Sequence, residues 1–141
     1  MNANAQAYLQ YQKTSLETKS PGRLLLMLFE GAIKNLNNSK IAITNHDYNQ
    51  AHESIMATQE IVVELMTTLK MEYDISTNLM ALYEYFLQQL IEANLKKDVT
   101  ILDELLDYFV EMHSTWEEAI KHLGPTVVNT GAPVNRLNIS G

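Results

Sequence analysis

The sequence contains no cysteine, which excludes disulfide bridges, thiolate metal sites and cysteine nucleophiles. Glycine and proline are scarce, with five and three residues among 141. Two of the prolines, Pro125 and Pro133, lie beyond residue 124, so most of the chain lacks residues that break helices. This scarcity favours long helices over the turn-rich strands of a sandwich or barrel.

Long apolar runs and basic patches are also missing. The apolar run from Leu24 to Phe29 is too short to cross a membrane. Residues 1–7 have neither the basic start nor the apolar stretch of a signal peptide, so we expect a cytoplasmic protein without membrane insertion. Residues 1–46 carry five basic and two acidic side chains, whereas residues 47–141 carry five basic and fifteen acidic ones. We predict no binding to nucleic acid, because the chain is acidic and has no basic cluster.

The length and composition indicate one domain over residues 1–141. With 46% hydrophobic residues the whole chain can bury a core, but half of it would be too small to do so. Residues 1–19 are mostly polar and form a predicted N-terminal arm. Residues 125–141 are rich in Asn, Thr, Gly and Pro and form a predicted flexible C-terminal tail.

Apolar residues recur at helical spacing in four segments between the arm and the tail. The predicted helices cover residues 20 to about 43, 47 to about 70, 76 to a short link at 95–97, and 98 to the Gly124-Pro125 stop. Ser20, Asp47 and Asp98 are suitable capping residues, and Pro21 fits the first position of a helix. Four such helices with short links predict an all-α fold, an antiparallel up-down four-helix bundle over residues 20–124.

No catalytic template fits the sequence. Glycine-rich phosphate loops, dinucleotide-binding units and nucleophile elbows are absent. His52-Glu53 resembles the start of a zinc-protease motif, but Met56 occupies the position of the second histidine. His113 and Glu117 share a helical face, which we interpret as a solvated polar surface. We therefore predict no enzyme activity, no metal and no cofactor.

The first three predicted helices carry more apolar residues than one helix–helix seam needs. In the first helix the row Leu24, Leu28, Ala32 and Leu36 is expected to face the core. The surplus residues are Leu26, Met27, Met56, Ile61, Val63, Met80, Tyr85, Leu87 and Ile91. They could complete a fully wrapped core, or they could form a groove that accepts helices of a partner polypeptide. The seven methionines would give such a groove adaptable packing.

Several motifs occur in a fixed order along residues 8–120. They are Tyr8-x-x-Tyr11-Gln12, Ser15-x-x-Thr18-x-Ser20-Pro21, Leu25-x-Met27-Leu28-Phe29-x-Gly31-x-Ile33, Gln59-x-Ile61-Val62-x-Glu64-Leu65, Asn78-Leu79-x-x-Leu82-Tyr83-x-Tyr85 and Leu90-x-x-Ala93-Asn94-x-x-x-Asp98, followed by Trp116. Together they resemble the FliS family of bacterial flagellar secretion chaperones. One departure is Phe29-Glu30, where the family commonly has Tyr-Asp or Tyr-Asn.

The resemblance implies a cytoplasmic chaperone with a four-helix bundle, no cofactor and no catalytic activity. It implies that the protein binds the disordered C-terminal segment of flagellin, prevents premature polymerisation and delivers the subunit to the flagellar type III export apparatus. The implied partners are this segment, the membrane export gate and other flagellar regulators.

The arm motif and the surplus apolar residues together define the expected client contacts. These are Tyr8, Leu9, Tyr11, Leu26, Met27, Ile61, Tyr83 and Ile91. We expect the arm to act as a lid that competes with the client for the groove. Two alternatives stay open: a chaperone for another flagellar or secretion protein, and a carboxylate-metal enzyme on a four-helix scaffold.

Overall fold

The computed structural model describes residues 20–123; the predicted arm and tail lie outside these residues. The described residues form four α-helices, and no strand occurs among them. The helices are α1 (Pro21–Thr44), α2 (Tyr48–Thr67), α3 (Asp74–Lys96) and α4 (Val99–Leu123). No helix in this part of the chain combines the length and apolar character that crossing a lipid bilayer requires. The assignment of residues 1–141 to a single domain stays a prediction.

The predicted starts of α1 and α2 are confirmed by their caps. The Ser20 hydroxyl accepts the backbone N–H of Arg23 at 3.3 Å, and Pro21 follows at the first helical position. The Asp47 carboxylate accepts the backbone N–H of Gln50 at 3.2 Å. These side-chain oxygens satisfy N–H groups that no helical carbonyl reaches, which fixes where each helix begins.

The link between α2 and α3 differs from the prediction. α2 ends at Thr67 instead of near Lys70. At this end the hydroxyl groups of Thr67 and Thr68 each donate to a backbone carbonyl oxygen of the last helical turn at 2.8 Å. Such bonds compete with the continuing helical backbone. α3 begins at Asp74, and the hydroxyl of Ser76 donates to the carbonyl of Lys70 at 2.7 Å. Ser76 therefore holds the start of the α2–α3 link against the first turn of α3.

α3 and α4 form the predicted hairpin through a two-residue link. Lys97 has a left-handed backbone conformation with a φ of 51° and ends α3. The Asp98 carboxylate accepts the backbone N–H of Thr100 at 2.9 Å and starts α4. A left-handed residue at a helix C-terminus reverses the chain within a short distance.

The helices form a closed ring in which each helix packs against two neighbours. α1 and α3 both contact α2 and α4, whereas the diagonal pairs α1–α3 and α2–α4 do not approach each other. Consecutive helices with short links run antiparallel, so the predicted up-down four-helix bundle is confirmed. The closest pair is α1–α2, where a methyl group added at Gly31 would lie 3.3 Å from Cδ1 of Ile61.

The core along the bundle axis is rich in aromatic rings. Phe109 packs edge-on against Phe86, with ring centroids 4.8 Å apart, and tilted against Phe29 at 5.9 Å. Trp116 of α4 is fully buried. Large aromatic side chains supply much of the apolar burial that stabilises a small domain. With the core filled in this way, binding is left to the outer seams between the helices.

Candidate binding surface

The seam between α1 and α4 is bridged by an ion pair. Lys40 of α1 forms an ion pair with Asp103 of α4. About three turns farther along the seam, Oε2 of Glu30 lies 3.5 Å from Nε2 of His113. The solvated position predicted for His113 is wrong: its side chain is only 22% exposed, because it lies on the face of α4 that packs against α1.

The seam between α3 and α4 is bridged by Tyr85. Its hydroxyl donates to Oε1 of Glu104, and its ring packs edge-on against Tyr108 with centroids 6.4 Å apart. The bond to the Glu104 carboxylate, followed by burial, raises the pKa of Tyr85 to about 12. Tyr85 thus belongs to a closed seam instead of a surplus apolar surface. Between residues 20 and 123, no group of three or more His, Cys, Asp or Glu side chains could hold a metal ion.

The first apolar groove lies between the start of α1 and the end of α2. It has a volume of about 320 Å³ and is lined by Pro21, Leu24, Leu25, Leu28, Thr67, Thr68, Leu69 and Lys70. Leu24 and Met27 are exposed on α1, and Ile61 of α2 is partly buried against the core. Pro21, the first residue of α1, is part of this lining.

The second apolar surface, called the α2–α3 groove below, follows the seam between α2 and α3. At one end Nδ2 of Asn94 on α3 donates a hydrogen bond to Nδ1 of His52 on α2 at 2.9 Å. Residues three or four positions apart share a helix face, so the residues at helical spacing from this pair line the same seam. On α2 they are Met56, Gln59, Val63 and Met66, and on α3 they are Met80, Glu84, Leu87 and Ile91. Met56, Val63 and Ile91 are exposed, and Met66, Met80 and Leu87 pack partly buried against the core.

α2 therefore has an apolar groove on each side. Every ion pair that joins two helices among residues 20–123 joins α1 to α4, and none joins α2 to a neighbour. The hydrogen bond between His52 and Asn94 lies at one end of the α2–α3 seam, and the apolar row beyond it can accept the apolar face of another helix. The α2 side is the candidate binding surface.

Three of the predicted contact residues lie on this surface. Met27 is exposed beside the α1–α2 groove, and Ile91 is exposed in the α2–α3 groove. Ile61 is partly buried between α1 and α2. The arm residues Tyr8, Leu9 and Tyr11 lie outside the described part of the chain.

The predictions for two contact residues and one core residue are wrong. Leu26 and Tyr83 lie in the core with 3% and 0% of their surfaces exposed, so the surface does not include them. Tyr83 is four residues after Leu79 and three before Phe86, which puts it on the buried stripe of α3. Leu24, which the sequence pattern assigns to the core, is exposed and lines the first groove.

Comparisons with known proteins give one consistent result. The sequence profile of the family described as Flagellar protein FliS matches residues 4–123. The chain is similar to the flagellar secretion chaperone FliS of Bacillus subtilis, with 34% identity over 114 residues, which cover 81% of this chain and 86% of that protein. It is also similar to the FliS chaperones of Vibrio cholerae, with 31% identity over 84% of this chain and 89% of that protein, and Campylobacter jejuni, with 30% identity over 82% and 91%.

Proposed function

Since the chain belongs to the FliS family of flagellar secretion chaperones, we propose that it binds the disordered C-terminal segment of a flagellin in the cytoplasm. Bound in this way, the segment cannot pair with other flagellin subunits, and premature polymerisation is prevented. The complex then delivers its client to the gate of the flagellar type III export apparatus. The structural observation that supports this proposal is the exposed apolar surface on either side of α2, with the α1–α2 groove on one side and the row of Met56, Val63 and Ile91 on the other.

A large apolar surface suits a client that is disordered before it binds. Ordering such a segment costs about 2–5 kcal/mol, and complexes of this kind typically bury roughly 1,000–3,000 Å². The α1–α2 groove, with about 320 Å³, holds only a few side chains. The client therefore needs both grooves, with contacts to Met27 and Ile61 at the first and to Met56, Val63 and Ile91 at the second.

The arm takes part in this proposal as a competitor of the client. It precedes α1, whose first residue Pro21 lines the α1–α2 groove, and it carries apolar Tyr8, Leu9 and Tyr11 in a polar segment. An uncovered apolar groove promotes aggregation, so a tethered apolar segment that leaves when the client arrives protects the free chaperone.

Calorimetric titration of the full-length protein with the C-terminal segment of flagellin tests the proposal. We expect saturable one-to-one binding with a negative heat-capacity change, because apolar surface leaves water. A scrambled segment of the same composition is the control, since it lacks the amphipathic pattern. Equal binding of both segments, or no binding of either, would contradict the proposal. Binding of a different export substrate, in place of flagellin, would support the alternative of another flagellar client.

Delivery is tested separately by capture of the chaperone–flagellin complex on the isolated cytoplasmic part of the export gate. We expect the complex to be retained in proportion to the gate that is immobilised. Failure of retention would remove the delivery step and leave the binding step standing.

A further inference from the structure

Carboxylates border the apolar floor of the α2–α3 groove on both sides. On α2, Glu53 and Glu60 lie three residues before and four after Met56, so they flank it on the helix surface. On α3, Glu84 lies three residues before Leu87 and four after Met80. All three glutamates are exposed, and α2 contains no Lys or Arg from Tyr48 to Thr67.

These three carboxylates have no cationic partner among residues 20–123. Two acidic side chains elsewhere on the bundle have one: Asp103 pairs with Lys40, and Glu92 pairs with Lys96 across one helical turn. Glu104 is likewise engaged, as the acceptor for the Tyr85 hydroxyl. The negative charge beside the α2–α3 groove is therefore not neutralised from within the bundle.

The α2–α3 seam is long enough for one helical segment. From His52 to Met66 the seam follows about four turns of α2, which is roughly 21 Å at about 1.5 Å per residue. A helix of similar length, laid with its apolar stripe on Met56, Val63 and Ile91, brings the residues beside that stripe next to Glu53, Glu60 and Glu84. Acidic residues at those client positions would meet like charges, whereas basic ones would form new pairs.

We infer that the α2–α3 groove selects a client helix whose apolar stripe is bordered by Lys or Arg side chains. The inference rests on the proposed function, because it specifies the client of the same surface. The apolar floor supplies most of the affinity, and the carboxylates determine orientation and discriminate against acidic helices. One exposed charge pair changes affinity by about 1.4-fold to fivefold, so three pairs together give roughly tenfold at low salt.

The test uses three helical peptides of about 16 residues that share one apolar stripe of Leu and Met. The positions beside the stripe are Lys in the first peptide, Gln in the second and Glu in the third. Titrated into the full-length protein at low salt, the Lys peptide is expected to bind about tenfold more tightly than the Gln peptide, with the Glu peptide weakest. The preference should shrink at high salt, because exposed pairs are screened.

A matched pair of protein variants assigns the preference to the groove. The double variant Glu60→Gln/Glu84→Gln removes two charges at the groove, and Asp107→Asn/Glu111→Gln removes two exposed charges from α4. We expect the first to lose most of the preference for the Lys peptide and the second to retain it. An equal loss in both variants would assign the preference to net charge and overturn the inference.

Two further outcomes separate this inference from the proposed function. Equal affinity for the three peptides, with normal binding of the flagellin segment, would overturn the charge selection and leave the chaperone function intact. If no peptide binds, the inference is wrong, and titration with the flagellin segment then shows whether the proposed function is wrong as well.

Discussion

Exposed apolar residues have different surroundings on the α4 side and on the α2 side of the bundle. On the α4 side, Val110 is 51% exposed, but it lies on a helix whose seams are bridged by Asp103 and Glu104. On the α2 side, Val63 is 48% exposed and lies on the same seam as Met56 and Ile91, which no ion pair crosses among residues 20–123. An exposed apolar residue is ordinary on any protein surface, and a row of such residues along one seam is not. The ion pair between α1 and α4 and the row of exposed apolar residues between α2 and α3 distinguish the closed side from the open side.

Both sides depend on the same core, and its loss gives the largest expected effect. Trp116 is fully buried, so Trp116→Ala should lower the free energy of unfolding by about 3–5 kcal/mol, a large share for a small domain. Urea denaturation followed by circular dichroism measures this change. Trp116→Phe is the control: the indole N–H has no hydrogen-bond partner among residues 20–123, so we expect a smaller loss than for Trp116→Ala. Equal stability of the Ala variant and the wild type would place Trp116 outside the core.

The comparison between the sides is tested most directly by two matched substitutions. Val63→Asp places a charge in the open α2–α3 groove, and Val110→Asp places the same charge at an equally exposed position on α4. We expect Val63→Asp to weaken binding of the flagellin segment at least tenfold, because an unpaired carboxylate would be buried against the client. Val110→Asp should change the affinity less than twofold. Both variants should first be shown to melt at the same temperature as the wild type, and calorimetry then measures their affinities for the flagellin segment. Equal losses of affinity in the two variants would remove the distinction between the sides.

The bridge on the closed side should depend on pH. The Tyr85 hydroxyl bonded to Glu104 has its pKa raised to about 12 from the usual 10.0, so the unfolded chain loses this proton first as the pH rises. The stabilisation is therefore complete below about pH 10 and is lost between pH 10 and about 12. Tyr85→Phe should cost about 1 kcal/mol of unfolding free energy at pH 8.

Denaturation of wild type and Tyr85→Phe across pH 8–12 isolates this bridge from the other tyrosines. The difference in stability between the two proteins should stay constant to about pH 10 and disappear by about pH 12. A difference that persists to the highest pH would show that Tyr85 contributes through packing against Tyr108 alone.

Local features of the sequence were sufficient to predict the architecture. Ser20, Asp47 and the short link before Asp98 are visible as caps and turns, and the caps found in the structure confirm them. Ser76 misled the prediction for α3, because its hydroxyl reaches a carbonyl of the preceding link. Hydrogen bonds between segments are not encoded in local spacing, so the α2–α3 link could not be predicted.

The binding surface was less predictable than the fold. The apolar arc of α1 is so wide that the sequence alone does not show which part of it faces the core. Leu24 was therefore predicted to be buried and is exposed, whereas Leu26 was predicted at the surface and is buried. The partners of His113 and Tyr85 lie on other helices, so no spacing within α3 or α4 reveals which seams are bridged. Met27 and Ile91 were placed correctly at the surface because they lie opposite long apolar rows.

The smallest expected effect concerns the arm, which we propose covers the α1–α2 groove in the free chaperone. Deletion of residues 1–12 removes Tyr8, Leu9 and Tyr11 and leaves the caps of α1 untouched, so circular dichroism should show the same helix content. Without a competitor, the affinity for the flagellin segment should rise about threefold. The size of this rise is set by the fraction of free molecules in which the arm occupied the groove. The same deletion should increase the fluorescence of a dye that binds apolar surface.

The arm prediction has a matched control and two results that would contradict it. A full-length variant with Tyr8, Leu9 and Tyr11 all replaced by Ser keeps the length and charge of the arm, so it should reproduce the deletion if the apolar side chains are what compete. Weaker client binding in both variants would show that the displaced arm contacts the client, since removing a competitor cannot lower affinity. Unchanged affinity together with unchanged dye fluorescence would show that the arm neither covers the groove nor touches the client. In that case the open side of the bundle is exposed in the free protein, and its protection from aggregation must come from the client itself.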